Sequence, residues 1–178
     1  MQKREKGFSL IELLIVVAII LIIAAIAIPN LLRSRIAANQ ASAVGTLRTI
    51  TTANINFSSS YGDGYALSLA QLGGPIIAIP TCIQANMIDP VLSTGANPQK
   101  SGYTLTYTAG PNPFGVGAAP TGCAGWGPTT FSLNNVAVNL GQTGQTSYCV
   151  DDSGVIRFNP TGAAPPNPCG TSGLNAMQ

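Results

Sequence analysis

Histidine is absent from this chain, and only 8% of its residues are charged. Histidine is a frequent general acid or base and a frequent metal ligand, and active sites are built from ionisable groups with tuned pKa values. The sequence also lacks a Gly-rich phosphate loop, a C-x-x-C pair and a nucleophile with a base in motif. We therefore expect a protein that is not an enzyme and that holds no cofactor.

Positive charge is also scarce. Eight Lys or Arg residues stand against six Asp or Glu, for a formal net charge of +2. Residues 1–7 carry three of the basic residues and one of the acidic ones, so the rest of the chain is neutral. The remaining basic residues form no stripe or patch, so we predict no nucleic-acid site. Near-neutrality lets many copies pack side by side with little self-repulsion.

The chain does contain one long apolar run. Residues 8–28 are apolar apart from Ser9 and Glu12, and about 21 residues of helix measure roughly 31 Å, enough to span a bilayer. The leader before it, residues 1–7, is basic, so the positive-inside rule places it in the cytoplasm. An unpaired Glu12 deep in the membrane would cost roughly 2.5–3.5 kcal/mol, so this carboxylate requires a partner.

The stretch K-G-F-S-L-I-E-L-L at residues 6–14 resembles the processing and methylation motif of type IV prepilins. The resemblance implies that a prepilin peptidase cuts between Gly7 and Phe8 and that the new Phe8 amine is N-methylated. It also implies that Glu12 meets the N-terminal amine of a neighbouring subunit. That contact would supply the partner that a buried charge needs.

One position departs from the family pattern. Members commonly carry a glycine midway along the apolar run, eight residues before a proline. Here Pro29 is present, but Leu21 stands in place of the glycine. Proline kinks a helix, and glycine weakens a helix by about 1 kcal/mol relative to alanine. We therefore expect a kink at Pro29, and we expect any unwinding in a filament to be shorter than in other members or to lie closer to Pro29.

Two other interpretations of the apolar run remain open. A secretory signal peptide also has a basic start and a small-residue cleavage site, and residues 25–27 spell A-I-A. A plain membrane anchor is the other alternative. The run is longer than the roughly 7–15 apolar residues of a signal peptide, and neither alternative explains Glu12 or the Gly7–Phe8 junction. The prepilin interpretation is favoured.

Beyond Pro29 a helical period continues to a breaker cluster at residues 58–64. Six apolar residues fall within about 60° of one line at 100° per residue: Leu32, Ile36, Ala43, Leu47, Ile50 and Phe57. A single helix of roughly 50 residues is predicted, about 75 Å long. The resulting division is a leader at 1–7, a transmembrane and filament-core helix at 8–28, an amphipathic second half at 29–61 and a globular head at 62–178.

The head is predicted to contain a helix followed by β-strands. The predicted elements are a short helix at 82–92 broken at Pro90, strands at 103–108 and within 129–140, and a hairpin of 147–150 and 155–158. Three or four antiparallel strands packed on the second half of the long helix give an α+β fold. The same α+β arrangement is implied by the resemblance to pilins.

All four cysteines lie in the head, on the oxidising side of the membrane. They are Cys82, Cys123, Cys149 and Cys169, and their spacing matches no zinc or haem pattern. Two disulfides are predicted. Four cysteines allow three pairings, of which we favour Cys82–Cys123 and Cys149–Cys169.

Asp151 and Asp152 are weak metal candidates. The major pseudopilins of type II secretion systems, relatives by the same resemblance, bind calcium in the C-terminal part of the head. Calcium takes about six to eight oxygen ligands, and the Gly/Pro/Asn-rich tail offers carbonyl groups but no further acid. A solvated D-D-S-G turn is therefore favoured, and no metal is predicted.

The resemblance implies a structural subunit of a type IV pilus that polymerises with itself. Such a subunit is a single-pass inner-membrane precursor and then part of an extracellular filament used for adhesion, twitching motility or DNA uptake. Its partners would be a prepilin peptidase and methyltransferase, an assembly ATPase and a platform protein. A major pseudopilin of a type II secretion system and a minor pilin are the alternatives.

Overall fold

The structure is a computed structural model that describes residues 7–61, 64–74, 80–111, 127–171 and 174–177. It divides into two compact units, Met1–Arg35 and Ile36–Gln178. The long helix α1 runs from Leu10 to Tyr61, 52 residues, and ends at the predicted breaker cluster. The predicted helix of roughly 50 residues is confirmed. The chain is helical on both sides of Pro29, and the kink at this residue stays a prediction.

The first unit contains the apolar part of α1. In the part of the chain that is described, α1 is the one helix that is long and apolar enough to cross a membrane. No residue in its most apolar stretch of 18 residues is buried. Phe8, Leu10 and Ile11 are 88%, 77% and 67% exposed, and the large apolar residues from Leu13 to Ile28 are between 47% and 66% exposed. So much exposed apolar surface marks a region that contacts lipid or another protein.

The second unit is built on a six-stranded antiparallel sheet in the order β1-β2-β3-β4-β5-β6. The strands are β1 Gln99–Lys100, β2 Tyr103–Ala109, β3 Phe131–Ala137, β4 Ser147–Asp151, β5 Arg157–Asn159 and β6 Asn175–Ala176. The predicted strands at 103–108 and within 129–140 and the predicted hairpin are confirmed. The expected number of strands was too low, because β1 and β6 are only two residues long and cannot show a period.

The hydrophobic core lies between the second half of α1 and one face of the sheet. Four residues of the predicted stripe are buried, Ala43, Leu47, Ile50 and Phe57, whereas Leu32 is 54% exposed. The sheet contributes alternate residues of its three central strands: Tyr103, Leu105, Phe131, Leu133, Tyr148 and Val150. This helix-on-sheet layer is the predicted α+β fold.

The predicted helix at residues 82–92 is wrong. The helix in this region, α3, covers Pro90–Ser93. Pro90 is its first residue rather than its breaking point, because proline fits the first helical position, where the N–H has no acceptor. The Asp89 carboxylate caps this helix by accepting a hydrogen bond from the Val91 N–H at 2.9 Å. A further short helix, α2 at Leu69–Leu72, was not predicted.

Candidate functional site

The Gly7–Phe8 junction lies just before the first residue of α1. Residues 7–9 have no regular secondary structure, and α1 begins at Leu10. The Phe8 side chain is 88% exposed, and a Cβ atom added to Gly7 would meet no other atom within 4 Å. The peptide bond between Gly7 and Phe8 therefore lies outside the helical hydrogen bonds of α1, next to an exposed Phe8 side chain.

Glu12 lies in the first turn of α1 with an exposed side chain. Its Oε2 accepts a hydrogen bond from the backbone N–H of Ser9 at 2.9 Å. The Leu13 N–H donates to the Ser9 carbonyl oxygen at 3.3 Å, which closes the first turn. Among the residues that the structure describes, no Lys or Arg forms an ion pair with Glu12. Within residues 7–61 and the other described ranges, the carboxylate therefore has one partner, the neutral Ser9 amide.

The predicted Cys149–Cys169 disulfide is confirmed, with the two Cα atoms 5.8 Å apart. Cys149 lies on β4, opposite Arg157 of β5, so the disulfide ties the C-terminal segment to the predicted hairpin. The other predicted pair includes Cys123, which lies outside the described residues. Cys82 is itself disulfide-bonded.

The outer face of the sheet, opposite α1, is covered by the C-terminal segment 163–169. Asn134 Nδ2 donates to the Pro165 carbonyl oxygen at 3.1 Å. The Ser132 hydroxyl donates to the side chain of Asn167, and the Ser147 hydroxyl donates to the Ala163 carbonyl oxygen. Sequence reasoning missed this layer. The signals for it are the predicted disulfide from Cys169 to β4 and the polar residues Ser132, Asn134 and Ser147 at outward positions of β3 and β4.

The two weak metal candidates have different surroundings. Asp151 is buried, and its carboxylate accepts hydrogen bonds from Arg157 Nη1 at 3.3 Å and from the Ser153 N–H at 3.2 Å. Asp152 is exposed in the following turn. Within the described ranges, no group of three or more His, Cys, Asp or Glu side chains is close enough to share a metal ion. The Asp151 carboxylate therefore stabilises the β4–β5 hairpin. Its counter-ion, Arg157, was not predicted from the sequence.

Two tyrosines of β2 hold α1 and the loops to the sheet. The Tyr107 hydroxyl donates to the Ala66 carbonyl oxygen and contacts Asn54 Oδ1 of α1 at 3.3 Å. The Tyr103 hydroxyl donates to the Thr146 carbonyl oxygen at 2.8 Å. Burial raises the pKa of Tyr103 to about 12 and raises the pKa of Tyr107 as well. Both phenols are neutral hydrogen-bond donors of the folded head.

Comparison with known proteins bears on the N-terminal segment and on the chain as a whole. The prokaryotic N-terminal methylation motif matches residues 2–28. The type IV major pilin protein PilA of Myxococcus xanthus is 34% identical over 141 residues, which are 71% of this chain and 64% of that protein. The chain thus spans a little less than two thirds of that relative.

A second relative is matched over most of its length. The type IV wide pilus major component PilA4 of Thermus thermophilus is 34% identical over 119 residues, which are 62% of this chain and 85% of that protein. No solved structure matches the chain. The methylation motif, the apolar helix with its first-turn carboxylate and the α+β head agree with these two similarities. The chain belongs to the type IV pilin family.

Proposed function

We propose that this chain is a structural subunit of a type IV pilus and that it polymerises through the N-terminal part of α1. The observation that supports this function most directly is the exposure of residues 8–28. They form an apolar helical surface that nothing described in the chain covers, interrupted by the carboxylate of Glu12. Burial among helices of other copies at roughly 25 cal/mol per Å² of apolar surface would supply the cohesion of a filament.

In the proposed maturation, a prepilin peptidase cuts the open Gly7–Phe8 bond and the new Phe8 amine is methylated. The Glu12 carboxylate of one copy then binds the Phe8 amine of a neighbouring copy and sets the register of the two helices. A charge that is buried in an apolar interior is tolerated only when an oppositely charged group is bound to it. An incoming helix without the amine, or a receiving helix without the carboxylate, would leave one charge unpaired.

The proposed location follows from the same segment. The precursor is a single-pass inner-membrane protein with residues 1–7 in the cytoplasm, and the mature chain is part of an extracellular filament. Assembly would require an ATPase and a platform protein, besides the peptidase and methyltransferase. Adhesion, twitching motility and DNA uptake are the tasks proposed for the filament.

The experiment that tests this function compares three variants by intact mass and by filament yield after shearing. Gly7→Leu should block cleavage and leave the precursor in the membrane. Glu12→Ala should be cleaved and inserted normally but should form no filaments. Ile20→Ala, an apolar change in the same exposed segment, is the control and should be both cleaved and assembled. Abundant filaments from Glu12→Ala would overturn the proposed register contact.

A further inference from the structure

We propose that Ser9 positions Glu12 for assembly through its backbone amide. The Ser9 N–H holds Oε2 of the carboxylate, so that Oε1 is presented to the amine of an incoming copy. This inference rests on the proposed function, because the incoming amine is the one that cleavage at Gly7–Phe8 would create. It adds a residue and an atom to the contact that the prepilin motif does not assign.

The geometry supports a fixed carboxylate. Ser9 is the residue just before α1, and Glu12 is the third residue of the helix. The first N–H groups of a helix have no acceptor within the helix. A Glu at the third position that reaches back to the N–H of the capping residue forms one half of a capping box. The distance of 2.9 Å from Ser9 N to Glu12 Oε2 fits this arrangement.

The remaining oxygen is available to a partner. Among the described residues, Ser9 is the one that donates a hydrogen bond to Glu12, and it donates to Oε2. Oε1 can therefore accept a bond without breaking the Ser9 contact. A glutamate side chain that is already held in one rotamer loses less conformational entropy when it binds. The helix dipole also favours a negative charge at this end of α1.

The contact is compatible with maturation. Cleavage between Gly7 and Phe8 leaves the Phe8–Ser9 peptide bond intact, so the Ser9 amide remains a donor in the processed chain. The new amine is one residue away from this amide in the sequence. An ammonium group carries a full charge and the amide only a dipole, so the amine of another copy binds the free oxygen more strongly than a second amide would.

A labelling experiment can observe Glu12 alone. The chain has glutamates only at positions 5 and 12, so the processed protein has a single one. Incorporating ¹³Cδ-glutamate and ¹⁵N-serine allows the dipolar coupling between Glu12 Cδ and the Ser9 amide nitrogen to be measured by solid-state NMR. A strong coupling, corresponding to a separation on the order of 4 Å for a carboxylate that accepts this hydrogen bond, is expected in membrane-bound processed subunits. It should persist in filaments in which labelled subunits are diluted into unlabelled ones.

Two variants test the consequence for assembly. Ser9→Ala keeps the backbone N–H, so filament yield should equal that of the unmodified chain. Ser9→Pro removes the N–H, so filament yield should fall several-fold relative to the processed pool in the membrane. Equal filament yields for the two variants would overturn the proposal. Absence of the NMR coupling in the unmodified subunits would also overturn the proposal. This second test does not depend on whether the Ser9→Pro variant is cleaved normally.

The outcome separates this inference from the proposed function. If Glu12→Ala forms filaments, the register contact itself is wrong. If Glu12→Ala forms none but the coupling between Glu12 and Ser9 is missing, only the positioning role of Ser9 is wrong. A Glu12→Gln variant sharpens the distinction. It keeps an acceptor for the Ser9 N–H but loses the charge, so it should be processed normally and should assemble poorly.

Discussion

Replacing Leu47 by alanine should strongly destabilise the head. Leu47 is 0% exposed and lies on the α1 face that packs against the sheet. Truncation of a buried leucine typically costs about 2–5 kcal/mol, and the cost increases with the cavity that remains. Leu47 is enclosed between α1 and the sheet. Neighbouring side chains therefore have little room to move into the cavity that the substitution would leave. We expect a loss of roughly 3–4 kcal/mol in the free energy of unfolding.

The assay is urea unfolding of the full chain in detergent micelles, followed by near-ultraviolet circular dichroism of the head tyrosines. The slope of the unfolding free energy is on the order of 2 kcal/mol per molar urea for a unit of this size. The expected loss therefore lowers the midpoint by about 1.5–2 M. The signal arises from the head, so micelle-bound residues at the start of α1 do not contribute to it.

Ile55→Ala is the matched control on the same helix. Ile55 is 50% exposed, so its truncation leaves no enclosed cavity, and substitutions at open surface positions usually change stability by about 0.5 kcal/mol or less. A midpoint for Leu47→Ala that lies within the shift of Ile55→Ala would refute the reasoning. It would mean that the buried face of α1 is not the side that packs on the sheet.

Two further predictions concern the disulfide and the buried phenols. Replacing Cys149 and Cys169 together by serine should lower the free energy of unfolding by about 2–4 kcal/mol, and an unchanged urea midpoint would contradict this. The pKa of Tyr103 is raised from 10.0 to about 12, so the neutral phenol contributes stability that is complete below pH 10 and is lost as pH rises through about 12. In the folded head, tyrosinate absorbance of Tyr103 should therefore appear near pH 12 rather than near pH 10, and that of Tyr107 should also be shifted to higher pH. Ionisation of every tyrosine near pH 10 with the fold intact would contradict the second prediction.

The sequence predicts those elements whose period is long enough to be seen. The stripe from Ala43 to Phe57 spans four turns of α1, and its residues are buried as expected. β2 alternates over seven residues, and the D-D-S-G turn marks the hairpin between β4 and β5. In each case the side chains themselves carry the pattern that the fold uses.

The missed features depend on contacts between distant parts of the backbone. The segment at 163–169 accepts hydrogen bonds from Asn134 and Ser147 mainly through carbonyl oxygens, and carbonyl groups leave no trace in a sequence. Pro90 was misread for a related reason. A proline inside a helix kinks or breaks it, whereas a proline at the first position fits the helix start, and at Pro90 only the Asp89 cap distinguishes the two cases.

At the N-terminus, residues 9–12 contain two separate sequence signals, one for a partner of Glu12 and one for the start of α1. Glu12 attracts notice as a lone charge in an apolar run, and this leads to the expectation of a partner in another copy. The spacing of Ser9 and Glu12 is also S-x-x-E, which is the signature of a helix start, and α1 does begin between them. The first signal concerns the charge of Glu12 and the second concerns where its side chain lies. A register contact needs both, because a carboxylate that is free to rotate would accept an amine at more than one height along the helix.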